Sequence, residues 1–337
     1  MKKLINTEEF SSHLREKGIN IDSKKILLTK FVHSEQEKDL TLPPNCGGFG
    51  RIHHFRRLNS EIFPMNPLPI DPAQNYLRQE YADEIKVQVF QNAFCSWRCW
   101  YCFVDYKLLS ANSKYSEFQS VEEQLDLYLK EEIRSPIIDL SGGQPDLVPE
   151  WGLWMLDEIH KRGLSKDIYV WSDDNLSNEY LWDYLTDEER DRFAKYENYG
   201  RVGCFKGFDP ESFSFNTGAD PTLWDKQFQI MKRLIDVGFD MYGYVTLTSF
   251  NDINLNAKII YFIDKLQEID PIFPLRTIPL KIVEFTPTKS RMREDHFRAI
   301  DVQEKAIDIW NSEIQKRFTA EQRGKRIHEQ ILKRNAF

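Results

Sequence analysis

The stretch Ile85-Lys-Val-Gln-Val-Phe-Gln-Asn-Ala-Phe-Cys-Ser-Trp-Arg-Cys-Trp-Tyr-Cys-Phe103 joins an apolar strand pattern to three closely spaced cysteines. Cys95, Cys99 and Cys102 follow one another with the spacing C-x3-C-x2-C. Cysteine thiolates are the usual ligands of iron–sulfur clusters. Three thiolates on one tight loop can hold three irons of a 4Fe-4S cube and leave the fourth iron open. The open iron can then bind a small molecule through an amine and a carboxylate.

Short apolar runs alternate with helical patterns along the middle of the chain. Because strands that alternate with helices form βαβ units, the pattern predicts an α/β fold with a parallel sheet. Helices are predicted between the strands, and one is expected to open with a capping box at 120–123. The predicted strands are 85–90, 137–140, 168–171, 202–205, 242–247 and 280–285.

Two motifs together resemble the radical S-adenosylmethionine (SAM) superfamily. They are the cysteine loop after the first strand and Ser141-Gly-Gly-Gln-Pro145 after the second. In that superfamily the open iron chelates SAM, and the reduced cluster cleaves the sulfonium to a 5′-deoxyadenosyl radical. The resemblance covers about residues 85 to 286. It implies a partial (β/α)6 barrel, with one 4Fe-4S cluster and SAM as cofactors.

The resemblance also divides the chain and assigns the cofactor residues. Residues 85–289 are expected to form the core, between an irregular N-terminal extension, 1–84, that caps the barrel and a helical C-terminal extension, 290–337. Gln144 stands where Glu is usual, and Lys206 corresponds to a cation that pairs with the SAM carboxylate. The metal ligands implied are Cys95, Cys99 and Cys102. The SAM-binding residues implied are Tyr101, Gly142, Gly143, Gln144, Pro145, Ser172, Asp173 and Lys206.

Each of these motifs also has a structural interpretation. The cysteines can form a structural zinc site or pack in a core, although no second ligand pair follows at zinc-site spacing. The glycine turn can be an ordinary strand-to-helix connection. Ser172 and Asp173 can cap a helix, and Lys206 can be a solvated loop residue.

Two further residues are candidates for catalysis. Alternation places Cys204 on the same strand face as Lys206, so that its thiol can donate a hydrogen atom inside the barrel or pack there. Glu284 interrupts an apolar strand pattern with a charge, which predicts a polar role in the barrel interior because buried carboxylates are rarely unpaired.

The segment Asn45-Cys-Gly-Gly-Phe-Gly-Arg-Ile-His-His-Phe-Arg-Arg57 combines glycines with positive charge. Consecutive backbone amides and cationic side chains suit an anion. The pattern predicts a phosphate-bearing or nucleotide-like substrate; a flexible turn before a solvated basic strand is the alternative. The substrate-binding candidates are Arg51, His53, His54 and Arg56.

Composition narrows the classes of function. The chain has 337 residues, a formal net charge of -8 and five cysteines. Five cysteines are too few for a disulfide framework, which favours a reducing cytoplasmic setting. Cys46 and Cys204 cannot hold an auxiliary cluster in the four-cysteine manner. The acidic balance argues against an extended nucleic-acid surface, and the sequence shows no membrane span.

Three functions remain open at this point. The first is hydrogen abstraction from a small molecule or nucleotide, with electrons from a donor such as flavodoxin or ferredoxin. The second is an activase that generates a glycyl radical on a partner protein, because Gly203-Cys-Phe-Lys206 partly matches the Asp-Leu-Lys segment of such activases. The third is a non-catalytic iron–sulfur or zinc protein.

Overall fold

A curled seven-stranded sheet organises the structure, a computed structural model that describes residues 4–58 and 65–333. The sheet has the order β10-β9-β8-β7-β6-β4-β3, and a separate three-stranded sheet has the order β1-β2-β5. The strands are β1 (Ile19–Asn20), β2 (Lys25–Thr29), β3 (Gly50–Arg56), β4 (Glu84–Phe90), β5 (Ser116–Ser120), β6 (Ile137–Leu140), β7 (Tyr169–Asp174), β8 (Tyr199–Phe205), β9 (Met241–Val245) and β10 (Thr277–Pro279).

The six strands from β10 to β4 in the large sheet run parallel, and β3 adds to β4 in the antiparallel sense. Helices connect the parallel strands, as the alternation predicts. The helices are α1 (Thr7–Gly18), α2 (Ile70–Leu77), α3 (Val121–Lys130), α4 (Glu150–Lys161), α5 (Tyr180–Tyr184), α6 (Asp187–Ala194), α7 (Pro210–Thr217), α8 (Leu223–Val237), α9 (Leu255–Ile269), α10 (Thr286–Lys289), α11 (Glu294–Arg317) and α12 (Ala320–Gly324). Short 3-10 helices are Glu35–Asp39, Cys46–Gly48, Tyr106–Leu109, Pro145–Leu147, Phe273–Arg276 and Ile327–Glu329.

Local capping signals explain where the central helices begin and end. The Ser120 hydroxyl accepts a hydrogen bond from the Glu123 amide, and the Glu123 carboxylate accepts one from the Ser120 amide, so the capping box before α3 is present. Gly238 ends α8 with a φ of 109°, which a side chain would disfavour. None of the described helices is both long enough and apolar enough to span a bilayer.

Two expectations are wrong, one about the N-terminal extension and one about the last predicted strand. Residues 1–84, of which 1–3 and 59–64 lie outside the described residues, are not irregular. They contain α1, α2 and the strand β3 that extends the main sheet. The predicted strand 280–285 is also absent from the sheet, where Thr277–Pro279 pairs with β9 instead. The C-terminal extension is helical over Glu294–Arg317 and Ala320–Gly324, and its last residues, 334–337, lie outside the described residues.

Side chains on the two faces of the large sheet form two apolar layers. The outer layer packs the sheet against the helices. The inner layer, called the barrel interior below, faces the concave side. Its buried members are Leu68, Ala73, Val87, Val89, Ile137, Tyr169, Trp171, Val202, Cys204, Tyr242, Tyr244 and Ile327. Ala73 of α2 and Ile327 of the last 3-10 helix belong to this layer, so both segments cover the interior.

Candidate active site

The cysteine loop lies directly after β4, at the carboxyl end of the parallel strands, where ligands bind in folds of this type. Backbone hydrogen bonds fix it on two sides. The Cys95 amide donates to the Leu109 carbonyl at 3.2 Å, and the Trp100 amide donates to the Asn216 carbonyl at 3.2 Å. The Trp100 indole also donates to Asn216 Oδ1 at 3.0 Å. Asn216, near the end of α7, therefore holds the cysteine loop against the segment that follows β8.

The three thiols are enclosed and close enough to influence one another. Burial and the neighbouring Cys99 raise the pKa of the Cys95 thiol to about 12, and burial raises that of Cys99 to about 11. The neighbouring Cys102 contributes to both increases. Asn175, just after β7, donates from Nδ2 to Cys95 Sγ at 3.6 Å. Such hydrogen bonds to sulfur tune the potential of an iron–sulfur cluster.

The chemistry of these thiols suits a cationic metal centre. Crowded, desolvated thiols resist ionisation unless a positive charge compensates, and a bound metal supplies it. Within the described residues, no three His, Cys, Asp or Glu side chains converge as they would on a single metal ion. In a 4Fe-4S cube each cysteine binds a different iron, so its sulfurs need not converge on one ion.

The Gly-Gly-Gln-Pro turn packs tightly against the start of the cysteine loop. A β-carbon on Gly143 would lie 2.3 Å from the Asn92 carbonyl oxygen, and one on Gly142 would lie 2.4 Å from Gln91 Oε1. The glycines are therefore needed for contact with the protein's own chain, not only for approach of a ligand. The Asn92 side chain accepts a hydrogen bond from the Gln144 amide at 2.7 Å.

Gln144 is buried and joins the cysteine loop to the loop after β7. Its Oε1 accepts hydrogen bonds from the Ser96 amide at 2.7 Å and the Ser96 hydroxyl at 2.9 Å. Its Nε2 donates to Asp146 at 2.9 Å and to Ser177 at 2.7 Å. The side chain was expected to contact SAM, but these bonds occupy both ends of the amide. Pro145 begins the short 3-10 helix after the turn.

The polar residues that end β7 face opposite sides of the sheet. The Ser172 hydroxyl bonds to the Tyr199 hydroxyl at 2.5 Å in the outer layer. Asp173 points to the barrel interior, where it accepts from Ser141 Oγ at 2.8 Å. Asp174 points outward again and forms a buried ion pair with Arg201. Of the two residues predicted to bind SAM here, only Asp173 lies on the concave face.

Lys206 follows β8 and carries a positive charge close to the cysteine loop. Burial alone would lower its pKa, but the nearby Cys204, Tyr101, Cys99 and Asp173 together raise it well above the ordinary value. The lysine therefore stays protonated. Within residues 4–58 and 65–333, its ammonium has no hydrogen-bond or ion-pair partner. Such a cation is available to an anionic group of a ligand.

Two of the predicted site residues, the aromatic Tyr101 and the thiol Cys204, lie beside Lys206. The Tyr101 hydroxyl accepts a hydrogen bond from Thr246 Oγ1 at 3.1 Å. Burial and the neighbouring Cys99 raise the Tyr101 pKa well above its ordinary value, so the phenol stays neutral. Cys204 lies in the barrel interior, and burial raises its pKa to about 12. Strand β8 thus presents the neutral thiol of Cys204 to the concave face of the sheet.

The basic segment around β3 divides between the two faces of the sheet. Arg51 pairs in register with Val89 and His53 with Val87, so both point to the barrel interior. His54 and Arg56 point the other way and lie 3.3 Å and 3.6 Å from the Glu84 carboxylate. The four predicted substrate-binding residues are therefore not brought together.

One charged residue of the interior was not among the predicted site residues. Asp139 of β6 is buried, and burial and the neighbouring Asp173 raise its pKa well above the ordinary value, while Arg51 lowers it. Its Oδ1 has no hydrogen-bond partner in the described part of the chain. A charge inside the apolar run Ile137-Ile-Asp-Leu140 was the signal that could have identified it.

Glu284 does not occupy the position expected of it. It is exposed, and it lies outside the sheet in the segment before α10. The neighbouring Ile282 bonds through both its amide and its carbonyl to the Gln303 side chain of α11, at 2.7 Å and 3.2 Å. A helix side chain thus takes the hydrogen bonds that a strand partner would have made.

Comparison with known proteins finds partial similarity among solved structures. No protein-family model matches the chain, and no curated protein matches it. Among solved structures, part of the chain is similar to Streptococcus suis SuiB bound to S-adenosylmethionine, with 17% sequence identity and a TM-score of 0.39. The similarity covers 54% of this chain and 37% of the SuiB chain.

Proposed function

We propose that the protein is a radical SAM enzyme that uses one 4Fe-4S cluster to abstract a hydrogen atom from a small polar substrate. The observation that carries the proposal is the C-x3-C-x2-C loop, which follows the first parallel strand and is hydrogen-bonded to the Gly-Gly-Gln-Pro turn after the second. Cys95, Cys99 and Cys102 would each bind one iron. The arrangement of parallel strands fits the partial (β/α)6 barrel of that superfamily.

The residues around the loop suit SAM. Lys206 offers a cation for the carboxylate of its methionine moiety, and the Gly142–Gly143 backbone lies beside the cysteine loop. Asp173, held by Ser141, offers a carboxylate for a ribose hydroxyl. When bound, the cluster and SAM would supply a 5′-deoxyadenosyl radical. The buried aromatics Trp97 and Trp100 restrict water at the loop, which protects reactive species.

The direct test is reductive cleavage of SAM. Anaerobically reconstituted protein, reduced with dithionite, should convert SAM to methionine and 5′-deoxyadenosine, measured by liquid chromatography. Protein that holds a full complement of iron and sulfide but forms no 5′-deoxyadenosine would contradict the proposal. One tightly bound zinc per chain, without iron or sulfide after reconstitution, would favour the zinc alternative.

The activase alternative rests on the segment Gly203-Cys-Phe-Lys206, in which Lys206 faces the site. It requires a partner protein that acquires a glycyl radical, which electron paramagnetic resonance of a co-purified partner would detect. We place the enzyme in the cytoplasm with a flavodoxin or ferredoxin as electron donor. Reduction of the cluster by purified flavodoxin in place of dithionite tests that assignment.

A further inference from the structure

An arginine and an aspartate side chain lie at the same level of the barrel interior. In the sheet register Arg51 of β3 pairs with Val89 of β4, and Val89 pairs with Asp139 of β6. Residues in register point to the same face of a sheet. Arg51 and Asp139 therefore flank Val89 on the concave face, and their backbones lie about 10 Å apart across two strand spacings.

Both charged side chains are buried and incompletely satisfied. Arg51 is 5% exposed and Asp139 is 3% exposed. In the described part of the chain, Arg51 Nε and Asp139 Oδ1 have no hydrogen-bond partner, and the two groups form no ion pair with each other. Buried charges are rarely left without partners. The guanidinium of Arg51 and the carboxyl group of Asp139 are thus two unmatched groups on the same concave face, which points to a ligand that bridges them. Burial and Asp173 raise the pKa of Asp139, and an ammonium group beside it would favour the ionised carboxylate.

The guanidinium of Arg51 is held in place by groups other than Asp139. Its Nη1 lies 3.3 Å from His53 Nδ1, and its central carbon lies 5.5 Å from the centre of the Phe103 ring. Phe103 directly follows the last cysteine of the loop. The guanidinium is therefore fixed between the β3 wall and the cysteine loop, which reduces the entropy lost when a ligand binds.

The pair lies deeper than the edge at which SAM would bind. Asp139 precedes Ser141 by two residues, and the Gly142–Gly143 turn comes after that. Val89, at the same level, comes six residues before Cys95. A molecule between Arg51 and Asp139 would thus lie below both the turn and the cysteine loop.

We propose that Arg51 and Asp139 bind the substrate, and that this substrate is a small zwitterion with an anionic group for Arg51 and an ammonium group for Asp139. The word substrate rests on the proposed function, whereas the binding site rests on the register and the unmatched atoms. A substrate that is only anionic, such as a nucleoside monophosphate, would bring no positive charge to Asp139 and would leave that carboxyl group without a cationic partner. The structure thus narrows the phosphate expectation drawn from the sequence around Arg51.

The test is direct binding, which needs no turnover and, for the protein as purified, no iron. Isothermal titration is carried out on the protein as purified, and again on reconstituted protein saturated with SAM so that probes cannot occupy the SAM site. The probes are the twenty L-amino acids and O-phosphoethanolamine, each compared with its analogue lacking the amine, and adenosine monophosphate. We expect at least one zwitterion to bind about tenfold or more tightly than its amine-free analogue, which is about 1.4 kcal/mol.

Two variants assign the two ends of the ligand. Arg51→Gln should weaken the binding of the zwitterion and of its amine-free analogue alike, by about tenfold. Asp139→Asn should leave the analogue's affinity in place and abolish the preference for the amine. Lys86→Gln removes an exposed cation from the adjoining strand and should change neither affinity. Circular dichroism checks that each variant folds. If Arg51→Gln does not fold, comparison of the wild type with Asp139→Asn still decides whether a preference for the amine exists and depends on Asp139.

Three results would overturn the inference. They are binding of none of the zwitterions, equal or tighter binding of adenosine monophosphate or the amine-free analogues, and an amine preference that survives in Asp139→Asn. Loss of the proposed function would look different, because it would appear as absent iron or absent SAM cleavage while the binding results stand.

Discussion

Gln144 shows how one amide can fix the candidate site. Its carbonyl end bonds to Ser96 of the cysteine loop, and its NH₂ end bonds to the Asp146 carboxylate. A carboxylate at this position would place two like charges in contact inside the protein. The chain therefore needs Gln where the radical SAM superfamily usually has Glu.

Gln144→Glu should lower the free energy of unfolding by roughly 2–3 kcal/mol at pH 8, because a buried donor is replaced by a charge. Burial and the neighbouring Asp174 already raise the pKa of Asp146 to about 6. The carboxylate introduced at position 144 would pair with Asp146 and raise the folded-state pKa of the two groups further. The free energy of unfolding of the variant therefore falls as pH rises. Denaturant unfolding should show a smaller loss at pH 5 than at pH 8.

The exposed Gln79→Glu is the matched control, and it should change stability by less than about 0.5 kcal/mol at either pH. If Gln144→Glu were as stable as the wild type at pH 8, the account of this amide would be incorrect.

At the residue scale, the sequence predicted which motifs meet but not what each side chain touches. The glycine turn was expected to bind SAM, and the structure adds that Gly143 leaves room for the Asn92 carbonyl. Asp139 and Arg51 were not connected, because they lie on two strands that are distant in sequence and that both pair with β4. Such pairings depend on strand register, which a single sequence does not reveal.

Helix α1 is the element that supports the cysteine loop from outside the barrel. The Trp97 indole donates to Thr7 Oγ1 at 3.2 Å, and the last residue of the helix, Gly18, packs against the Phe94 ring. An ideal β-carbon on Gly18 would lie 2.3 Å from that ring. The helix can approach the loop because this position has no side chain.

Gly18→Ala therefore sets two effects against each other. Helix propensity favours Ala by about 1 kcal/mol, whereas overpacking a filled site costs about 1–3 kcal/mol. We expect a net loss of about 1 kcal/mol in denaturant unfolding. Gly324→Ala, at the end of α12 with nothing within 4 Å of its β-carbon, should be neutral or stabilising. A stabilised Gly18→Ala would contradict the packing described for α1.

At the element scale, strands were predicted well where every residue of the strand is buried, as in β6 and β9. Strand β3 was foreseen only as a solvated basic strand, the alternative to a phosphate site, and its pairing within the main sheet was not predicted. Its formation depends on long-range pairing with β4, where Glu84 meets the outward-facing cations. The apolar run 280–285 was taken for a strand, but Gln303 of a later helix satisfies its backbone.

At the scale of the whole molecule, side chains of many strands and helices form the two apolar layers, and the three loop cysteines contribute only a small part of them. We therefore expect iron removal to leave far-ultraviolet circular dichroism unchanged and unfolding cooperative. The melting temperature should nevertheless fall by several degrees, because a group that binds only the folded state stabilises it. Iron is removed with a chelator. The control is Cys204→Ala, which is loaded with iron and treated with the same chelator, because its cluster ligands are unchanged. An unchanged melting temperature after proven iron loss, or an unfolded apoprotein, would contradict this.

The central claim is that Cys95, Cys99 and Cys102 hold one 4Fe-4S cluster that cleaves SAM. The most direct measurement is the iron and sulfide content and the low-temperature electron paramagnetic resonance of reduced, reconstituted protein, together with 5′-deoxyadenosine formation, in five single Cys→Ala variants. The account predicts four irons per chain and SAM cleavage in the wild type, and loss of both in each variant of the three loop cysteines. Cys46→Ala and Cys204→Ala should keep the cluster. Iron loss in Cys46→Ala equal to that of the loop variants, or a cluster that survives without Cys95, would contradict the account.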